Sequence, residues 1–258
     1  MNARIESFRA LKNRGEKIAV LTAYDYPLAR LLDECAIDAV LVGDSLGMVV
    51  LGFPDTTSVT MEHMVHHAAA VSRGVKQTLI IADLPFASYE TPEQAVQNAR
   101  RLMEAGAHAV KLEGGAAQRA QIEALTAAAI PLMAHIGMLP QSVRKEGGYK
   151  TKGVTADQAT ILLADARAVE AAGAFAVVLE LVQPDVAEQI TRVLAIPTIG
   201  IGSGNGCDGQ VLVTHDLIGL FPWFKPKFVT RAAHVADEIR AAVAKFVKQT
   251  KTTPTPGS

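Results

Sequence analysis

Cysteine is scarce in this chain, which has only Cys35 and Cys207 among its 258 residues. Two cysteines cannot build a disulfide framework, so the sequence excludes the small disulfide-stapled folds of secreted proteins. The first stretch, MNARIESFRALKNRGEK, is charged and has no apolar centre, which excludes an ordinary secretory signal there. We therefore expect a reduced protein of the cytoplasm.

An excess of charge of one sign and long apolar runs are also missing. Lysine and arginine total 25 against 26 aspartate and glutamate, and the formal net charge is -1. This balance does not favour binding to nucleic acid or another polyanion. No window reaches the roughly 18–20 apolar residues that a membrane helix needs. Small molecules are therefore the expected partners, with neither nucleic acid nor membrane.

Hydrophobic residues make up 49% of the chain, and they occur in short runs rich in β-branched side chains. Nearly continuous apolar character is typical of strands that are buried on both faces, as in parallel sheets. The predicted strands are 18–25, 38–45, 78–85, 108–115, 130–137, 175–182, 196–203 and 209–216. Alanine-rich amphipathic stretches between them predict helices at 61–74, 92–105, 117–128, 155–172 and 184–194.

Eight β-then-α units in a chain of this length are typical of a (β/α)₈ TIM barrel, which belongs to the α/β class. An open doubly wound sheet alternates strands and helices in the same way and is the alternative. No linker or shift in composition indicates a second domain. We therefore expect one barrel domain over 1–250, followed by a polar, proline-bearing, disordered tail over 251–258.

Acidic residues stand where four of these predicted strands end, namely Asp44, Asp83, Glu113 and Glu180. A single acid after a strand commonly caps a helix or a turn. In a barrel, however, the carboxyl ends of all strands meet on one face, where active sites lie. Acids on three consecutive strands would repel one another there, and a hard divalent cation such as Mg²⁺ would relieve the repulsion.

Other polar side chains of this predicted face allow two interpretations each. Glu180 lies between apolar neighbours, so it is either a general base with a raised pKa or a solvated turn acid. Lys111 points to the same side as Glu113, and it offsets an anionic substrate, pairs with that carboxylate, or does both. His135 is either a structural residue or part of the same pocket. The polar connection 139–153 is either a mobile lid or a loose surface loop.

Longer strings of the sequence resemble one known family. They include LTAYDYPLA, VGDSLGMVVLG, AVKLEGG, HIGMLPQSV, GGYKTKG and IGIGSGNGCDGQVLVTHDLIGL, in this order. Over nearly the whole chain they resemble the ketopantoate hydroxymethyltransferases. The resemblance implies a barrel of the phosphoenolpyruvate/pyruvate-type superfamily. It also implies hydroxymethyl transfer from 5,10-methylenetetrahydrofolate to 3-methyl-2-oxobutanoate, giving 2-dehydropantoate for pantothenate and coenzyme A synthesis through an Mg²⁺-stabilised enolate.

Residue roles follow from the same resemblance. It implies one Mg²⁺ per subunit, held by Asp44, Asp83 and Glu113, and it implies that Glu180 is the catalytic base. The implied substrate contacts are Asp44, Ser45, Asp83, Lys111 and His135. The resemblance further implies a homodecamer. The alternative is an Mg²⁺-dependent C–C lyase or mutase acting on a 2-oxo acid, although the K-K-C-G-H-type loop of those enzymes is missing from the sequence.

Overall fold

Eight parallel strands form a closed barrel in the computed structural model, which describes residues 3–252. Consecutive strands pair with each other in the order of the chain, so the TIM barrel is confirmed and the open sheet is wrong. The strands are β1 (Ile18–Thr22), β2 (Ala39–Val42), β3 (Leu79–Asp83), β4 (Ala109–Glu113), β5 (Leu132–Gly137), β6 (Ala176–Glu180), β7 (Thr198–Ile201) and β8 (Gly209–Leu212).

Helices follow the strands, and the predicted long helices agree with the structure to within a few residues. They are α1 (Ala3–Asn13), α2 (Tyr26–Glu34), α3 (Leu46–Val49), α4 (Met61–Gly74), α5 (Pro92–Glu104), α6 (Arg119–Ala127), α7 (Val143–Glu146), α8 (Ala156–Ala171), α9 (Pro184–Val193), α10 (Thr214–Leu217) and α11 (Val235–Thr252). Local sequence explains where they begin. The side chains of Thr60, Thr91 and Thr155 cap α4, α5 and α8. Pro92 and Pro184 lie in first turns, where proline costs no hydrogen bond.

Apolar side chains form two cores, one between the strands and the outer helices and one inside the barrel. Phe8 of α1 belongs to the inner core, and its ring meets that of Phe175 edge-on at 5.9 Å. Because alternate residues of a strand point to the same side, the side chains that point into the barrel form one row along each strand. Three of these rows end on an acid: Leu79, Ile81 and Asp83; Ala109, Lys111 and Glu113; Ala176, Val178 and Glu180.

The chain divides into two compact units, one up to Val211 and one from Leu212 onward. In the second unit, α11 has no buried residue. None of the helices within residues 3–252 is long and apolar enough to cross a membrane. The single domain predicted over 1–250 stays a prediction, as does the disordered tail. Residues 251 and 252 lie in α11, and residues 253–258 lie outside the described part of the chain.

Candidate active site

Three buried carboxylates lie together at the carboxyl ends of neighbouring strands. Asp83 and Glu113 are the last residues of β3 and β4. Asp44 lies two residues beyond β2, on the turn into α3, so the prediction that it ends the strand is wrong. None of the three is more than 4% exposed. The backbone N–H of Asp44 donates to Asp83 Oδ2 at 3.0 Å, so these two residues are in direct contact.

Lys111 supplies positive charge inside this group of acids. Its Nζ lies 2.9 Å from Asp83 Oδ1, and the register of β3 and β4 places the two residues side by side. The predicted ion pair of Lys111 with Glu113 is therefore wrong, because the partner is Asp83. Burial lowers the pKa of Lys111, but the carboxylates of Asp83, Glu113 and Asp44 outweigh it and hold the pKa above its usual range.

Burial and mutual repulsion disturb the ionisation of the acids. Burial first, and then the charge of Asp83, raises the pKa of Asp44 to about 7, although Lys111 and Gln141 oppose the shift. Burial and then Asp44 raise the pKa of Glu113 well above its usual range. Carboxylates that share a small, dry space behave in this way when their negative charge is not balanced.

The donor set fits a hard divalent cation. Asp44, Asp83 and Glu113 offer only oxygen atoms, which Mg²⁺ prefers. Burial above all, and then the neighbouring carboxylate, raise the pKa of Asp44 and of Glu113 despite Lys111, so a bound cation would favour their ionised forms. Within residues 3–252, no cluster of histidine, cysteine or acidic side chains already has the arrangement of a metal centre. Asp83 is paired with Lys111, and Gln141 donates a hydrogen bond to one oxygen of Asp44 and to one oxygen of Glu113. The three acids thus fit the ion by their chemistry, and in this structure they bind Lys111 and Gln141 of the protein itself.

Glu180 and His135 face each other on β6 and β5. His135 Nε2 lies 3.3 Å from Glu180 Oε2, without the alignment of a hydrogen bond. Burial, helped by Lys111, lowers the pKa of His135 well below its usual range, so the imidazole is neutral. Burial raises the pKa of Glu180 to about 8, with Lys111 opposing. The side chain of Glu180 is only 12% exposed, so it is not a solvated turn acid.

Ser45 lies at the edge of the same site, where the hydroxyl of Tyr24 is 2.8 Å from its Oγ. Every side chain predicted for the site is thus found at the carboxyl face of the barrel. Their roles toward metal and substrate stay predictions.

Two site residues were missing from the sequence-based set, Gln141 and Tyr89. Gln141 Nε2 donates to Asp44 Oδ2 at 2.8 Å, and the hydroxyl of Tyr89 donates to Gln141 Oε1 at 2.5 Å. Both residues lie on connections that leave the carboxyl ends of strands, β5 for Gln141 and β3 for Tyr89. Polar side chains early in such connections are the signal that would have indicated them.

The connection 139–153 is anchored to its surroundings. Arg144 makes two bonds to Asp55, Nε to Oδ2 at 2.7 Å and Nη2 to Oδ1 at 3.1 Å. Near its other end, the backbone N–H of Lys152 donates to the carbonyl of Leu181 at 2.8 Å, directly after Glu180. The connection is therefore not a loose surface loop, and it joins the segment after β2 to the end of β6.

Comparison with known proteins points to one family. The model of a family described as ketopantoate hydroxymethyltransferase matches residues 2–258. A protein of Syntrophus aciditrophicus (strain SB) named 3-methyl-2-oxobutanoate hydroxymethyltransferase is 52% identical over 245 residues, which are 94% of this chain and 90% of that protein.

Solved structures with the same barrel are more distant in sequence. A phosphonopyruvate hydrolase in complex with oxalate and Mg²⁺ has a TM-score of 0.66 at 14% identity, covering 98% of this chain and 92% of its own. A 2,3-dimethylmalate lyase, described as a member of the PEP mutase/isocitrate lyase superfamily, has a TM-score of 0.62 at 19% identity, covering 99% and 90%. The predicted barrel fold is thereby confirmed, and at such identities the likeness extends to the fold alone.

Proposed function

This chain belongs to the ketopantoate hydroxymethyltransferase family, and from that premise we propose how its barrel performs the family's reaction. The protein is an enzyme that transfers a hydroxymethyl group to 3-methyl-2-oxobutanoate in pantothenate synthesis. The lyase or mutase alternative has only a shared fold in its favour, whereas the transferase relatives share about half of their residues with this chain.

The proposed one-carbon donor is 5,10-methylenetetrahydrofolate. The C3–H bond of the 2-oxo acid breaks, and a new bond forms between C3 and the one-carbon unit. Both bonds from that carbon to N5 and N10 of the folate break, one in exchange for the bond to C3 and the other for a bond to the oxygen of water. The protons from C3 and from water end on the two nitrogens. The products are then 2-dehydropantoate and tetrahydrofolate, with no oxidation or reduction. An enzyme of this name requires a one-carbon donor at the oxidation level of formaldehyde, and this folate supplies it.

The proposed metal ligands are Asp44, Asp83 and Glu113, which would hold one Mg²⁺ per subunit. When bound, the ion would supply Lewis-acid polarisation of the 2-oxo acid. The burial of Asp44 and Glu113 and their raised pKa values, which a bound cation would lower, support this assignment.

Binding and orientation of the 2-oxo acid are assigned to the polar side chains around the acids. The set is Asp44, Ser45, Asp83, Lys111 and His135. The ammonium of Lys111 faces the charge that develops on the substrate oxygens as the C3 proton leaves. Because Lys111 is buried and held by Asp83, it needs no reorganisation to do so. Tyr24 holds the hydroxyl of Ser45 in place.

Glu180 is the proposed base that removes the C3 proton. It stands on β6, across β5 from Glu113, so it is separate from the acids assigned to the metal. Burial gives it a pKa of about 8, and a carboxylate of this basicity takes a carbon-bound proton better than an ordinary one. His135 Nε2 lies 3.3 Å from this carboxylate, and because its imidazole is neutral it does not pair the charge of Glu180.

One observation carries this mechanism, which is the arrangement of three buried carboxylates around Lys111 with a fourth, more basic carboxylate two strands beyond Glu113, on β6. The test is ¹³C NMR of 3-methyl-2-oxobutanoate with labelled 5,10-methylenetetrahydrofolate, with Mg²⁺ or with a chelator. Labelled 2-dehydropantoate is expected to form when Mg²⁺ is present and not when the chelator is present. Equal rates after chelation would contradict the metal assignment, and turnover of formaldehyde but not of the folate would contradict the donor.

The assembly and the compartment are further proposals. Three apolar side chains of α11, Ile239, Val243 and Phe246, are 48%, 54% and 67% exposed, and self-association as a homodecamer would cover such a surface. Sedimentation velocity tests this, since a species of one or two chains would contradict it. The two free cysteines support a cytoplasmic location. Fractionation of the cells tests it.

A further inference from the structure

Gln141 connects two of the three acids assigned to the metal. It lies in the short 3₁₀ turn Pro140–Ser142 that begins the connection 139–153, and it is 6% exposed. Its side-chain Nε2 donates to Asp44 Oδ2 at 2.8 Å, and its backbone N–H donates to Glu113 Oε2 at 3.0 Å. One residue thus holds a carboxylate from the turn after β2 and another from the end of β4.

The orientation of the Gln141 amide is fixed by two further contacts. Nε2 also donates to the backbone carbonyl of Leu84 at 3.0 Å, and Oε1 accepts from the hydroxyl of Tyr89 at 2.5 Å. Carbonyl and carboxylate oxygens only accept hydrogen bonds, so a flipped amide would place its oxygen against two acceptors. The carboxylate of Asp44 and the carbonyl of Leu84 therefore set the orientation of the amide, and the hydroxyl of Tyr89 donates to the Oε1 that this orientation presents.

These bonds restrain carboxylates that would otherwise repel each other. A hydrogen bond to an ionised carboxylate is shorter and stronger than one between neutral groups. With one oxygen of Asp44 and one of Glu113 held, each carboxylate is restrained against rotation about its last side-chain bond. No hydrogen bond to the second oxygen of Asp44 is seen within residues 3–252, so that oxygen is not committed to another donor.

We propose that Gln141 is a positioning residue of the hydroxymethyl transfer, which presets Asp44 and Glu113 for the cation and thereby makes the seating of the connection 139–153 part of the site. The assignment rests on the proposed metal site. Partners of metal ligands typically contribute about 10- to 100-fold to metal affinity, and we expect an effect of this size from Gln141.

The chain offers a closely matched control in Gln121. This glutamine of α6 is 9% exposed, and its Nε2 donates to the backbone carbonyls of Tyr89 and Glu90, both at 3.3 Å. Gln121→Ala therefore removes a buried side-chain amide of the same kind near Tyr89, but no hydrogen bond to a carboxylate of the site. Binding of Mn²⁺ alone, followed by electron paramagnetic resonance, is the readout, and thermal unfolding of both variants is recorded beside it.

Gln141→Ala is expected to weaken Mn²⁺ binding by about 10- to 100-fold, whereas Gln121→Ala is expected to bind as the wild type does. Tyr89→Phe keeps the ring but removes the donor to Gln141, so a smaller loss in the same direction is expected. It also serves as the test if Gln141→Ala does not fold. Equal Mn²⁺ affinity in wild type, Gln141→Ala and Tyr89→Phe would overturn the role of Gln141 alone. No Mn²⁺ binding by the wild type would overturn the metal site and, with it, this role.

Discussion

Lys111 Nζ lies 2.9 Å from Asp83 Oδ1, and both side chains are almost completely buried, with 5% and 4% of their surfaces exposed. The two residues are partners in the register of β3 and β4, so the barrel itself brings them together. Inside the barrel the pair is surrounded by the carboxylates of Asp44 and Glu113, which also raise the pKa of Lys111. The lysine is therefore the cation around which the acids of the site are arranged.

Removal of Lys111 is expected to destabilise the fold. Lys111→Met leaves the carboxylate of Asp83 buried without its partner, and such losses cost about 3–5 kcal/mol. The double variant Asp83→Asn/Lys111→Met leaves no unpaired charge at this position, so it is expected to recover most of that free energy of unfolding and to remain inactive. Urea denaturation of the wild type, Lys111→Met and the double variant measures these free energies of unfolding. A double variant as unstable as Lys111→Met would show that the pair does not explain the loss.

The buried carboxyl of Glu180 predicts a pH-dependent stability of the metal-free protein. Its pKa rises from the ordinary 4.5 to about 8 on folding, because of burial. The folded state therefore holds this proton more tightly than the unfolded state, and the resulting stability, present below the ordinary pKa, is lost as pH rises through about 8. Glu180→Gln is expected to gain free energy of unfolding over wild type, on the order of a few kcal/mol, between about pH 5 and about pH 8.5.

Urea denaturation in the presence of a chelator, at both pH values, gives that difference directly. Glu123→Gln, on the exposed side of α6, is the control and should follow the wild type at each pH. A difference between Glu180→Gln and wild type that does not change with pH would contradict the raised pKa of Glu180.

The ion pair of Arg144 with Asp55 predicts local rather than global effects. The Arg144 side chain is 61% exposed, so Arg144→Ala is expected to change the free energy of unfolding by no more than about 1 kcal/mol. The connection 139–153 loses an anchor, however, and its backbone amides should exchange with solvent deuterium faster than in the wild type. Mass spectrometry of peptides measures the exchange, with Arg119→Ala as a control that removes an exposed pair elsewhere. Unchanged exchange in the connection would show that Arg144 does not hold it.

Gly137 couples the backbone of β5 to the position of Glu180. Its φ is +98°, and a Cβ there would lie 2.3 Å from the backbone oxygen of Glu180. Gly137→Ala therefore carries a backbone cost of about 1–3 kcal/mol and, in addition, displaces the proposed base. We expect turnover to fall by about tenfold or more, because small misplacements of a reacting group are costly.

Gly15→Ala separates these two effects. Gly15 also has a positive φ, +69°, but nothing lies within 4 Å of its added Cβ. Gly15→Ala is expected to lose stability and to keep the turnover number of the wild type, as measured by steady-state kinetics on the folded fraction. Equal turnover in both alanine variants would contradict the coupling of Gly137 to the base.

The fold was predictable because strand and helix periods alternate so regularly, and the acids of β3, β4 and β6 were predictable because each one interrupts an apolar run. Strand ends were less certain. Asp44 lies beyond β2 rather than at its end, because the pairing stops at Val42, where the apolar run also ends, and Gly43 comes between them.

Contacts between distant segments were not predictable in the same way. The partner of Lys111 depends on the register of two strands, which the spacing of Lys111 and Glu113 on one strand does not reveal. Gln141 is 97 residues from Asp44 along the chain, and its neutral side chain has no periodicity or charge to mark it. Only the folded barrel brings its amide against the acids.

Exchange of the C3 proton of 3-methyl-2-oxobutanoate in D₂O tests the proposed role of Glu180 most directly. NMR follows the exchange with Mg²⁺ present, and tetrahydrofolate is added so that the folate pocket is filled without a carbon to transfer. The wild type is expected to exchange the proton, and Glu180→Gln to do so at least about 100-fold more slowly, as is typical when a general base is lost. Exchange at equal rates in the two proteins would contradict the assignment of Glu180 as the base.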